Sequence, residues 1–131
     1  MKINIKTTMT ALLCVYLATL ILLCMMKTDS MPEVKFTLLG LPLDKVLHFC
    51  MFLPYPMLAF QVFVQKGSTC LHEILLLGII LIFGAGLAYG TERLQGLTDY
   101  RSYEMADFFA DMIGLIAGAA AVLLQISLKK R

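Results

Sequence analysis

Apolar residues fall along this chain in four long blocks, and short polar stretches separate them. The blocks run from about Thr7 to Met26, Leu43 to Val64, Leu71 to Thr91 and Met105 to Leu128. Within each block the apolar positions are continuous instead of being confined to one helical face. Runs of about 18 or more such residues read as bilayer-spanning helices. The pattern therefore predicts an all-α fold, an integral membrane bundle of about four transmembrane helices. It forms one transmembrane domain over residues 1–131, with spans near 7–26, 43–64, 71–91 and 105–128.

The breaks between blocks carry their own signals. A basic start with Lys2 and Lys6 precedes the first block, whose apolar length exceeds the roughly 7–15 residues of a signal-peptide core. No small-x-small cleavage site follows it, so it reads as a retained span. A connector with Pro32, Gly40 and Pro42 leads to the second block. There Pro54-Tyr55-Pro56 withholds two backbone donors, which predicts a kink with the freed carbonyls satisfied from neighbouring helices or water. The turn Gln65-Lys66-Gly67-Ser68-Thr69 suits an antiparallel helix pair, and a second polar connector is expected from about Glu92 to Glu104.

Composition sharpens the class. The 131 residues are 60% hydrophobic and only 15% charged, whereas a soluble domain is roughly 45–50% apolar and about 25% charged. A soluble chain this short has too little interior to hide the excess. A net charge of +2 without a basic-aromatic stripe excludes a nucleic-acid partner. Cys14, Cys24, Cys50 and Cys70 form no CxxC pair and no metal-finger spacing, so they read as small packing residues. The distribution of basic residues sets orientation. With both termini in the cytoplasm, Lys2, Lys6, Lys66, Lys129, Lys130 and Arg131 lie inside, and nearly all acidic residues lie outside. The expected location is the bacterial cytoplasmic (inner) membrane, multi-pass.

The candidate chemistry gathers at the outer ends of three spans. Asp44, Lys45 and His48 share one helical face, as do Glu92 with Gln95 and Asp107 with Asp111; Arg101 lies in the connector between the last two groups. Ionisable groups near hydrocarbon are costly and are normally paired or turned toward a cavity. These eight residues are the candidate ligand-binding set, as against a structural network tying helix ends together. Arg101 and Lys45 suit an anionic group, Glu92 and Asp107 would orient them, and His48 adds a titratable imidazole. Carboxylates with His48 also suit several metals, but the spacing singles out none, and no metal or cofactor is assigned. No Gly-x-Ser-x-Gly elbow or His-Glu-x-x-His pair marks an enzyme. The small residues Gly86 with Gly90, and Ala110, Gly114 and Gly118, recur every fourth position and predict close helix packing.

At these polar positions the chain resembles the VanZ-like family of small bacterial membrane proteins. That family carries an Asp-Lys-x-x-His helix start, a Glu-x-x-Gln helix end, an Arg, and then an Asp-x-x-x-Asn-x-x-Gly helix. The matching residues are Asp44, Lys45 and His48, then Glu92 and Gln95, then Arg101, then Asp107 and Gly114, within a region of about 43–118. Asp111 stands where the pattern has Asn, adding a negative charge, and Asp99-Tyr100 stands where the family often has Pro-Gly. The resemblance implies a role at the cell envelope in the response to glycopeptide antibiotics, particularly teicoplanin. Its partners would be membrane lipids or a lipid-linked cell-wall intermediate. The alternatives are a membrane enzyme acting on a phospholipid or polyprenyl-linked substrate, and a non-catalytic assembly subunit.

Overall fold

The computed structural model describes residues 4–26, 37–38, 40–99 and 102–129. The helices are α1 (Ile5–Met25), α2 (Leu43–Phe52), α3 (Pro54–Phe63), α4 (Cys70–Gly96) and α5 (Met105–Lys129). The two-residue strands β1 (Thr37–Leu38) and β2 (Leu41–Pro42) pair antiparallel just ahead of α2. Gly40 turns between them at a φ of +80°, a conformation that costs glycine little. The sequence pattern had marked this stretch only as a connector.

Helices α2 and α3 run end to end as one apolar segment, Leu43–Phe63. With α1, α4 and α5 they give four segments long and apolar enough to cross a membrane, at mean hydropathies of 1.5 to 2.2. The chain is an all-α, multi-pass membrane protein. The break between α2 and α3 falls at Leu53, ahead of Pro54-Tyr55-Pro56. Leu53 keeps helical angles (φ −55°, ψ −45°), so the segment continues in nearly the same direction. Beside the break, the Tyr16 hydroxyl of α1 donates to the Met51 carbonyl and so ties α1 to the end of α2.

Helix α4 is longer than its apolar block. Glu92 and Gln95 lie inside it and not in a connector, because both residues are good helix formers. The helix stops at Gly96, and Thr98 covers its end: the Thr98 hydroxyl and amide both donate to the Gln95 carbonyl, at 2.6 and 3.1 Å. At the other end of α4 the Thr69 side chain caps the helix by accepting from the His72 amide.

Helix α5 packs against α2, α3 and α4, and α1 lies across α3 and α4. Phe52, Phe60, Ala88, Leu115 and Val122 are buried where these helices meet, whereas Ile79, Ile82 and Phe83 of α4 face outward. Cys24 is buried and Cys70 partly so, but Cys14 and Cys50 face outward and are not core packing residues. At the end of the bundle that holds the termini, the Lys129 ammonium and the Ser68 hydroxyl both reach Oε1 of Glu73 at 2.7 Å. Gln61 donates to Gln125 at 3.0 Å nearby.

The glycines divide sharply. A Cβ on Gly114 would meet the Phe49 carbonyl oxygen and, at 3.2 Å, the Leu53 nitrogen; one on Gly118 would meet the Leu53 carbonyl oxygen and the Pro56 ring. Backbone atoms cannot swing aside as a side chain can. Gly86 and Gly90, expected to form a packing ridge, instead leave a Cβ nothing to touch within 4 Å. Spacing of four put them on one face, but that face continues Ile82 and points away from the bundle. Within α4 the close-packed glycines are Gly84, lying against Tyr55 and Leu115, and Gly96, lying against Tyr103.

Gly114→Ala and Gly118→Ala should each destabilise the extracted protein by about 1–3 kcal/mol, and the leucine variants by more. Gly86→Ala and Gly90→Ala should melt at or above the parent temperature, since alanine is the better helix former. Thermal unfolding in detergent distinguishes the two pairs, and equal effects at all four positions would contradict the packing described.

Candidate functional site

Three short sequence intervals build one polar cluster at the end of the bundle away from the termini. The first two turns of α2 supply Asp44, Lys45 and His48; the last turns of α4 supply Glu92 and Gln95; the first two turns of α5 supply Asp107 and Asp111. All lie within roughly 10 Å of their helix ends, at 1.5 Å per residue, which puts the cluster near one bilayer boundary. Its floor is closed: Glu92 and Asp111 are 0% exposed, Gln95 1%, and His48 and Asp107 3%.

His48 stands at the centre. Its Nδ1 lies 2.9 Å from Oδ1 of Asp111 and 3.7 Å from Oε1 of Glu92. Its Nε2 faces Oδ2 of Asp107 at 3.7 Å and Oδ1 of Asp44, one turn back, at 4.0 Å. The ring thus bridges two carboxylate pairs that belong to three different spans.

Lys45 forms the rim. Its ammonium donates to Glu104 at 2.7 Å, to Asp44 at 3.2 Å and, through a close ion pair, to Asp107. The sequence pattern offered Lys45 as a holder of an anionic ligand, yet in the folded chain three carboxylates surround it. Glu104 was missed, although it lies three residues before Asp107 and so shares its side of the chain. Arg101 lies outside the described residues. Arg93 takes no part: its guanidinium sits over the Tyr89 and Tyr103 rings at 5.5 and 5.9 Å.

The Gln95 amide nitrogen donates to the Cys24 carbonyl at 3.0 Å and so ties α4 to the end of α1. Its carbonyl oxygen has no side-chain donor, and the same holds for both carboxylate oxygens of Glu92 and for Oδ2 of Asp111. The cluster therefore holds more acceptors than donors. Five carboxylates (Asp44, Glu92, Glu104, Asp107 and Asp111) stand around one lysine and one histidine among the described residues. Leaving a buried acceptor unpaired costs about 1–3 kcal/mol, and more when it is charged. The described part of the site suits a proton, a cation or a hydrogen-bond donor better than a bare anion.

No protein-family model, curated protein or solved structure matches the chain.

The ion pair of Lys45 with Asp107 gives a direct check of this geometry. Lys45→Ala leaves a buried carboxylate without its cation, and Asp107→Ala frees the ammonium toward Asp44 and Glu104. The double variant should be more stable than the sum of the single losses implies, with a coupling of about 0.5–3 kcal/mol. Additive losses in a thermal or denaturant series would mean that the two side chains are not paired.

Proposed function

We propose that this chain is a VanZ-like membrane protein of the bacterial cytoplasmic membrane, with both termini in the cytoplasm and the polar cluster facing outward. In this reading the cluster engages the polar group of an anionic lipid or a lipid-linked cell-wall intermediate and changes the response to glycopeptide-type antibiotics. The observation that carries it is the convergence of Asp44, Lys45, His48, Glu92, Gln95 and Asp107, far apart in sequence, into one incompletely paired cluster. Structural networks in membranes are under pressure to satisfy every member, so a persistent shortage of donors favours a group that arrives from outside.

The rim is where such a group can reach. The side chains of Asp44 and Glu104 are 47% and 53% exposed, and that of Lys45 22%. Hydroxyl and amino groups of a headgroup fit these carboxylates, and the anionic part of the ligand falls to Arg101. A membrane enzyme using His48 and Asp111 as acid and base is the second reading, because the pair has the spacing such a couple needs. Their burial, however, keeps a headgroup away from both.

Two measurements test the proposal. Reporter fusions after Gln65 and Arg131 should behave as cytoplasmic, and fusions after Pro32 and Tyr100 as external; an external signal at Gln65 would end the outward-facing assignment. Cells expressing the parent chain should show altered teicoplanin susceptibility. Lys45→Ala and Arg101→Ala should abolish that change at unchanged membrane abundance. A parent chain without effect, or variants that keep the full effect, would refute the reading.

A further inference from the structure

The surplus of acceptors is concentrated on one side of His48, and there it has the form of a coordination shell. Glu92 and Asp111 face Nδ1 from α4 and α5. Both are 0% exposed. Between them they present three carboxylate oxygens with no side-chain donor, and the Glu104 amide is a backbone donor near Glu92. One shared proton could satisfy at most two of those oxygens, whereas a divalent cation attracts all of them at once.

We propose that His48, Glu92 and Asp111 form a site for one divalent transition-metal cation, which goes beyond the envelope-ligand reading and does not depend on it. Each residue offers one ligand atom, and these atoms lie within 4.8 Å of one another. Two ligands each about 2.1 Å from a metal stand roughly 3.0–3.4 Å apart at octahedral or tetrahedral angles. The spacings of 2.9 and 3.7 Å around Nδ1 bracket that range, so small side-chain movements bring these three atoms to coordinating positions, with water left to fill the remaining ones. Imidazole nitrogen with two carboxylates suits zinc, manganese or iron, whereas calcium takes about six to eight oxygens.

The opposite side of the ring shows why the metal belongs at Nδ1. Asp44, His48 and Asp107 also lie within 4.8 Å of one another. Those two carboxylates already share the ammonium of Lys45. They stand 3.7 and 4.0 Å from Nε2, so a small ring movement lets one of them accept the Nε2–H, as outer-shell carboxylates do in histidine–metal sites, where they fix the tautomer and orient the ring. Asp111 anchors the other side, because its Oδ1 lies 2.9 Å from Nδ1 and its Oδ2 has no hydrogen-bond partner. Each ligand comes from a different span, so the metal would clamp α2, α4 and α5 together.

The detergent-extracted full chain, stripped with a chelator, is titrated with Zn²⁺ or Mn²⁺ while metal content and melting temperature are followed. The parent should take up one equivalent and melt higher when loaded, as any ligand of the folded state requires. Glu92→Gln and Asp111→Asn should bind at least about 10–100-fold more weakly and lose the metal-induced rise. Without metal they should melt no lower than the stripped parent, since an amide relieves the donor shortage; this separates a lost ligand from a lost fold. Glu73→Gln, at the other end of the bundle, should keep the parent affinity. No saturable uptake by the parent, or parent-like affinity in Glu92→Gln, would overturn the site. Teicoplanin susceptibility in the same strains keeps the two proposals apart. Metal uptake with no change in susceptibility refutes the envelope function alone, and a susceptibility change without metal uptake refutes the metal site alone.

Discussion

Everything at the polar end of this bundle depends on how closely α5 approaches α2. Asp107, Asp111, Gly114 and Gly118 succeed one another at spacings of four, three and four, which makes them a single stripe on one face of α5. The lower half of the stripe has no side chains, and there the carbonyls of Phe49 and Leu53 occupy the space a Cβ would need. The upper half carries two carboxylates, delivered to Lys45 and His48 at ion-pair distance. The glycines fix the separation of the helices, and that separation fixes the reach of the aspartates. Packing and chemistry are one feature read at two depths.

A bilayer gives no hydrophobic reward for bringing two apolar helices together, so association rests on fit and on polar links. The polar links here are placed at both ends. Glu73 holds Lys129 and Ser68 at the end with the termini, and Gln95 holds the Cys24 backbone at the other. The two ends differ in completeness. Glu73 finds a cation and a hydroxyl within hydrogen-bond distance, whereas Glu92 has only the His48 ring, at 3.7 Å. A buried glutamate can thus be a finished clamp or an unfinished site, and its partners decide which.

The spans were legible because a run of apolar residues needs only length to declare itself. The site was legible to the extent that spacing shows which residues share a helical face: Asp44 with His48, Glu92 with Gln95, and Asp107 with Asp111. Spacing does not say which face meets a neighbour, so Gly86 and Gly90 looked equivalent to Gly114 and Gly118 until the helices were assembled. It also hid partners that belong to no repeat. Glu104 reads as connector, and Glu73 reads as a lone charge at the start of an apolar block, although a carboxylate in a span is itself a signal. Lys45 drew attention as a cation, but only the fold reveals that carboxylates already claim it.

The lengths of the spans tie the protein to the thickness of its membrane. Helix α1 and the α2–α3 segment each have 21 residues, or about 31 Å at 1.5 Å per residue, close to an ordinary hydrocarbon core of about 30 Å. Helix α4, with 27 residues, is about 40 Å long and carries Glu92 and Gln95 on its overhang. Glu92 and Gln95 are covered by the protein itself, so bilayer thickness acts instead on the exposed carboxylates of the rim, Asp44 and Glu104. A thicker bilayer draws those exposed carboxylates toward hydrocarbon, where a charge is costly. The rim carboxylates therefore tie the depth at which the bundle sits to the thickness of its membrane.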